Sequence, residues 1–150
     1  MSVYVMSDIH GMYDRYAAML EAIGFGEDDT LYVLGDVLDR GPEPVRVLRD
    51  MAVRPNVYPI MGNHELMALS VLDTVCVDIT DDNCTTRLDE QAIHSLLEWQ
   101  QEGGTTTMSG FSALPREARA DLLDYLADFA PYEVTAAGER TFILVHSGLG

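Results

Sequence analysis

Gly35-Asp36-Val37-Leu38-Asp39-Arg40-Gly41 sets two carboxylates three residues apart, then a guanidinium, between two glycines. The strand-like run Thr30 to Leu34 leads into it, and Pro42 opens a helix just beyond. A carboxylate at such a strand end can bridge two cations. The second carboxylate can orient a histidine, and the arginine can hold a phosphate oxygen. The stretch therefore needs histidines and further ligands from elsewhere in the chain.

Working outward, Val3 to Met6 predicts a buried strand, and Asp8-Ile9-His10-Gly11 stands at its C-terminal end. Tyr16, Met19, Leu20 and Ile23 recur at helical spacing until Gly24 and Gly26 stop the helix. Val45, Leu48 and Met51 give the buried face of the helix after Pro42 and Pro44. Asn56 to Met61 is a third strand, weakened by Pro59, which cannot donate to a ladder. Gly62-Asn63-His64-Glu65 closes it, and a helix follows with Leu66, Leu69 and Leu72 at its apolar positions. Alternating strand and helix predicts an α/β fold with a parallel sheet covered by helices. Further on, Asp78 to Asn83 reads as a solvated acidic loop, without the Gly-centred pattern and closing Glu of a calcium site. Leu88 to Trp99 reads as a helix with Ile93, Leu96 and Leu97 inward. Gly103-Gly104-Thr105-Thr106-Thr107 breaks it. Pro115 starts another helix, with Ala118, Leu122, Leu126 and Phe129 on one face. Tyr132–Thr135 and Thr141–Val145 form a hairpin, which delivers His146-Ser147-Gly148-Leu149. Residues 1–150 read as one domain, with neither repeat nor linker.

The 150 residues are 47% hydrophobic, enough for a core, and carry a net charge of −16. That balance disfavours nucleic acid and anionic membranes as partners. A polyanionic substrate then needs local cations, from arginine or metal. Cys76 and Cys84 lack a disulfide or metal pattern and read as reduced thiols of a cytoplasmic protein. No signal peptide or membrane-length apolar run is present.

Each motif alone has a bland reading, as a turn residue, a helix cap or a core histidine. Together, four successive strand ends carry Asp-x-His, Asp-x-x-Asp-Arg, Asn-His-Glu and His, each flanked by glycine. Open α/β sheets place their sites at those ends. Oxygen and imidazole donors without thiolate suit manganese, iron or zinc. A shared Asp36 would hold two such ions roughly 3.5–4 Å apart.

These four motifs resemble the successive signatures of the phosphoprotein phosphatase family, binuclear metallophosphatases acting on phosphoserine and phosphothreonine. Trp99 with Gly103-Gly104 and Thr107, and the run Leu114-Pro115 to Tyr132-Glu133, resemble the bacterial and phage branch. The resemblance implies an α/β/β/α sandwich with mixed sheets. It implies that Asp8 and His10 bind a first divalent ion, that Asp36 bridges, and that Asn63 and His146 bind a second. It further implies that Arg40 and Asn63 hold phosphate oxygens. His64, oriented by Asp39, would protonate the leaving group after in-line attack by a metal-bridging hydroxide. The expected substrate is then a phosphoprotein or phosphopeptide. Close relatives split dinucleoside tetraphosphates at the same kind of site, the alternative reading. The Asp39-Arg40 pair leans toward the protein phosphatases.

Three departures from the pattern stand out. Leu38 replaces a valine, and Glu102 replaces an asparagine common in the bacterial branch. A further histidine ligand and a second phosphate-binding arginine, expected after His146, find no place before Gly150. His94, mid-helix, reads as a surface or packing residue. The early stop predicts an incomplete second sheet with an exposed edge, closed by homo-oligomerisation or by further chain. It also keeps open a non-catalytic, metal-binding module.

Overall fold

The computed structural model describes residues 1–75 and 89–148. The fold is α/β, as the alternation predicts. Strands β1 (Val3–Met6), β2 (Thr30–Leu34) and β3 (Val57–Ile60) form a parallel sheet in that order. Helix α1 (Tyr13–Ala22) joins β1 to β2, and α2 (Pro44–Ala52) joins β2 to β3. Then come α3 (Asn63–Val75), α4 (Glu90–Gln101), α5 (Thr105–Ser112) and α6 (Arg116–Ala127), and the antiparallel pair β4 (Glu133–Ala137) and β5 (Arg140–Leu144). Among the described residues, the three-stranded sheet is parallel and the two-stranded one antiparallel, because the βαβ units and the hairpin form separate ladders.

Local chemistry sets the boundaries. Gly24, at φ 62°, ends α1: its N–H donates to Glu21 O (3.0 Å), and that of Phe25 donates to Leu20 O (2.9 Å). Pro44 occupies the first turn of α2. The Asp89 carboxylate caps α4 by accepting from Ala92 N at 2.8 Å. Pro59 is tolerated within β3 because its carbonyl accepts from Ala130 N (3.3 Å), on the side away from β2. Its missing N–H faces that same edge, so the β2 ladder loses nothing.

Pairing puts Tyr4, Leu31 and Val57 on one face of the sheet and Val5, Tyr32 and Tyr58 on the other. The first face packs on the helices, in a core that includes Val33, Val47, Leu48, Met51, Leu72, Trp99, Phe111 and Leu126. On the second face Val5 and Tyr58 are half exposed.

Three expectations need correction. The buried residues of α3 are His64, Glu65, Ala68, Val71 and Leu72, whereas Leu66 is 59% exposed. The reason is Glu65, whose carboxylate is drawn in by backbone N–H groups. In α4 the buried residue is Trp99, while Ile93 and Leu97 stay about half exposed. The Gly-Gly-Thr stretch interrupts the helix only at Gly103-Gly104, since Thr105 already begins α5. Cys76, Cys84, the acidic 78–83 stretch and Leu88 lie outside the described residues. Among the described residues, no helix is long and apolar enough to cross a membrane.

Candidate active site

The C-terminal ends of β1 and β2 run on as two loops stitched backbone to backbone. Asp8 N donates to Gly35 O (3.2 Å), His10 N to Asp36 O (2.9 Å) and Gly11 N to Val37 O (2.9 Å). This stitching brings the Asp-x-His loop against the central stretch. Buried Glu65 anchors the central loop from α3. Its carboxylate accepts from Asp36 N (2.8 Å), Val37 N (2.6 Å), Leu38 N (3.2 Å) and Gly62 N (3.1 Å). Burial pushes the Glu65 carboxyl above its usual range, and the backbone donors pull against that shift.

Asp8, His10, Asp36, Asn63 and His146 come together. Asp36 Oδ2 lies 3.7 Å from His10 Nε2 and 3.3 Å from His146 Nε2. His10 Nε2 is 3.7 Å from Asp8 Oδ1, and His146 Nε2 is 3.0 Å from Asn63 Oδ1. Both imidazoles are fixed from behind. His10 Nδ1 donates to Leu38 O at 2.8 Å, and His146 Nδ1 to Leu34 O at 2.7 Å. Each ring thereby turns an Nε2 lone pair toward the Asp36 carboxylate. With Nδ1 as the donor, a neutral ring offers its Nε2 lone pair beside the oxygens of Asp36 and Asn63, and this set of imidazole, carboxylate and amide donors fits divalent metal. Asp36, flanked by a histidine on each side, is placed to be shared. A hydrogen bond from the Ser7 hydroxyl, foremost, lowers the Asp8 carboxyl below its ordinary range, keeping it ionised.

Beside the cluster, His64 Nδ1 donates to Asp39 Oδ2 at 2.7 Å, with both side chains buried. The His64 ring meets that of His10 edge to face at 4.8 Å between centroids. Ligand atoms of His10, Asp36 and His64 all lie within 4.8 Å of one another. Arg40 stands apart from this convergence. Its guanidinium is exposed and pairs at 3.7 Å with Glu102, the residue that departs from the expected asparagine. His94 is on the surface of α4, 3.4 Å from Glu98.

Sequence reasoning assigned no role to three residues that shape this site. Glu65 is one. The others are Trp99, whose Nε1 donates to Asp39 Oδ2 at 2.8 Å, and Thr107, whose hydroxyl donates to Asp39 Oδ1 at 2.6 Å. The Trp-Gly-Gly-Thr spacing was their only signal. A concavity of about 480 Å³, lined by Tyr13, Tyr16, Phe25, Asp50 and Arg54 among others, shares no residue with the cluster.

Imidazole, carboxylate and amide donors gathered at the strand ends of an α/β fold, with a carboxylate-bound histidine beside them, are the equipment of a metal-dependent phosphoesterase. Residues 1–149 match the calcineurin-like phosphoesterase family, and the chain belongs to it. The symmetrical bis(5'-nucleosyl)-tetraphosphatase of Wigglesworthia glossinidia brevipalpis is 32% identical over 101 residues, 66% of this chain and 37% of that protein. The protein of that name from Delftia acidovorans is 36% identical over 101 residues, 66% of this chain and 36% of its own length. The chain thus spans little more than a third of these curated relatives. Among solved structures, a putative diadenosine tetraphosphatase superposes with a TM-score of 0.53 at 20% identity, covering 87% of this chain and 48% of that one. A metallophosphoesterase from Sphaerobacter thermophilus gives 0.51 at 22%, covering 93% and 44%. Both show the fold alone.

These relatives overturn the protein phosphatase reading. The family-wide likeness holds, but the named sequence relatives are tetraphosphatases rather than serine/threonine phosphatases. The physical reason is that Asp-x-His, Asp-x-x-Asp-Arg and Asn-His-Glu address metal and phosphate, which every phosphoester offers. The group on the far side of the scissile bond leaves no mark on them.

Proposed function

We propose that this chain serves the symmetrical hydrolysis of dinucleoside tetraphosphates. The reaction class rests on one observation, the buried His64–Asp39 pair beside five converging metal donors. The substrate class rests on the names of the sequence relatives. Asp8 and His10 would hold one divalent ion, Asn63 and His146 a second, and Asp36 both, with manganese first and iron or zinc as alternatives. Such ions neutralise polyphosphate charge and acidify water, which matters in a protein of net charge −16.

The chain's own groups supply the rest. The Asn63 amide and, after release from Glu102, the Arg40 guanidinium bind phosphate oxygens. Asp39 holds the proton on His64 Nδ1, which leaves Nε2 as the ring position that delivers a proton. The oxygen of water bonds to one of the two central phosphorus atoms. The bond from that phosphorus to the central bridging oxygen breaks, and this oxygen leaves with the His64 proton, while one proton of the attacking water passes to solvent and His64 takes one back from solvent. One water is consumed, and two nucleoside diphosphates are formed.

The test is chromatography of products from the 150-residue chain incubated with manganese and diadenosine tetraphosphate. Adenosine diphosphate alone is expected, with turnover falling roughly 10²–10⁴-fold in His64→Asn. Monophosphate with triphosphate as products, or phosphopeptide hydrolysis without dinucleotide hydrolysis, would overturn the proposal.

A further inference from the structure

The segment carrying Trp99, Gly103, Gly104 and Thr107 takes no part in the mechanism above, yet it is built around Asp39. The Asp39 carboxylate receives three hydrogen bonds. His64 Nδ1 (2.7 Å) and Trp99 Nε1 (2.8 Å) share Oδ2, and the Thr107 hydroxyl (2.6 Å) takes Oδ1. Thr107 Oγ1 also accepts from Asp39 N at 2.9 Å, so its single proton is committed to the carboxylate. The Asp39, Trp99 and Thr107 residues are fully buried, which strengthens each bond and excludes competing water. The α4–α5 corner is tied down next door, where Arg40 N donates to Gly103 O at 2.9 Å. Both corner glycines are required sterically. A Cβ on Gly103, at φ 98°, would come within 2.8 Å of Arg40 Cγ, and one on Gly104 within 2.5 Å of the Trp99 ring.

We propose that Trp99 and Thr107 are positioning residues that clamp the Asp39 carboxylate toward His64, making the proton-delivering pair conditional on docking of the α4–α5 corner. This rests on the reading of His64 as proton donor. The physical reason is rotational. A carboxylate held only by His64 can swing about its Cβ–Cγ bond and let the imidazole follow. Donors on both oxygens remove that freedom. Asp39 itself has φ 72°, a strained conformation for a residue with a side chain. The bonds to Thr107 help to hold it there.

Trp99 is the chain's single tryptophan, so its indole N–H gives one resonance in a ¹H–¹⁵N spectrum. In the free protein that resonance is expected downfield, as for a donor to a carboxylate, moving upfield in Asp39→Asn and, by a smaller amount, in Thr107→Val, where the carboxylate regains its rotation. A solvent-like position insensitive to Asp39→Asn would overturn the clamp. The second measurement is kinetic. Thr107→Val should lower kcat roughly 10- to 100-fold with KM unchanged, and Thr107→Ser, which keeps the hydroxyl, should restore it. Wild-type kcat in Thr107→Val, or Thr107→Ser as impaired as Thr107→Val, would refute the positioning role. A wild-type chain inert toward the dinucleotide would sink the substrate assignment alone, since the indole measurement needs neither substrate nor metal.

Discussion

Gly104→Ala isolates one contact. Gly104 has φ −70° and ψ −7°, which alanine adopts freely, so backbone strain plays no part. The added Cβ would stand 2.5 Å from Trp99 Cδ2 and Cε2 and 2.6 Å from Nε1. Carbon atoms rest at about 3.5–4.0 Å, so the indole must retreat by roughly 1 Å. That overpacking costs about 1–3 kcal/mol. The retreat also stretches the 2.8 Å bond from Nε1 to Asp39 beyond hydrogen-bonding range, a further ~1.5–3 kcal/mol. The expected total is about 2.5–6 kcal/mol, a large part of the ~5–15 kcal/mol that holds a domain together. Urea denaturation of wild type, Gly104→Ala, Trp99→Ala and the double variant closes a cycle. Trp99→Ala alone should cost about 3–5 kcal/mol. Once the ring is gone, Gly104→Ala has nothing to strike and should cost only its lost preference as a helix cap, about 0.5–1 kcal/mol. Additive costs would show that the two residues do not meet, and the account of the corner would fail.

Glu65→Ala strips the partner from four buried backbone N–H groups and should cost at least about 3 kcal/mol in chemical denaturation; a loss below ~1 kcal/mol would refute the anchoring role. Manganese at a hundred times its dissociation constant should stabilise the fold by about 2.7 kcal/mol, read as a raised melting temperature that Asp36→Asn abolishes. An unchanged wild-type melt would count against the donor cluster as a metal site. The Tyr125 hydroxyl is buried without a hydrogen-bond partner among the described residues, so Tyr125→Phe should stabilise by about 1 kcal/mol. Burial pushes the Tyr125 phenol up to about 12 from 10.0, favouring the neutral form in the fold. Its share of stability is therefore intact below pH 10.0 and lost as pH rises through about 12. Tyr125→Phe should make the alkaline loss shallower, and a slope equal to wild type would contradict this.

The first half of the chain was legible because its grammar is local. Val3–Met6, Thr30–Leu34 and Val57–Ile60 are apolar runs ended by Gly and Asp, and the helices between them carry periodic apolar faces. The strand-end position of the motif residues follows from that grammar. Helix α5 was not legible, because Thr-Thr-Thr at its start is poor in helix propensity. Tertiary packing overrides this: Phe111 is buried, and Gly110 sits where a Cβ would be 2.5 Å from Val45 Cγ2. The inward face of α3 was misjudged for a related reason. A periodicity count takes Glu65 for a surface residue, whereas its carboxylate is the partner of a loop some 28 positions earlier in sequence. Nor does sequence spacing reveal that Trp99 and Thr107 reach back across 60 and 68 residues to one carboxylate.

Backbone conformation ties these threads together. The non-glycine residues with positive φ among the described residues are Asp8 (55°), His10 (44°), Asp36 (55°), Asp39 (72°) and Arg40 (67°). All five are residues to which the sequence pattern gave a chemical role. Each such conformation costs about 1–3 kcal/mol, so together they rival the net stability of a domain. Stability alone would favour glycine at all five positions. Side chains persist there because the turn, rather than the strand before it, aims them, and the strain must be offset close by. The structure puts the compensation there. Glu65 gathers the N–H groups of residues 36–38, the 8–11 loop is laced to residues 35–37, and Thr107 and Gly103 hold the backbone of Asp39 and Arg40. Removing any one of these supports should therefore disturb the aim of these side chains before it disturbs the core. The positioning groups thus belong to the site as much as the groups that they aim.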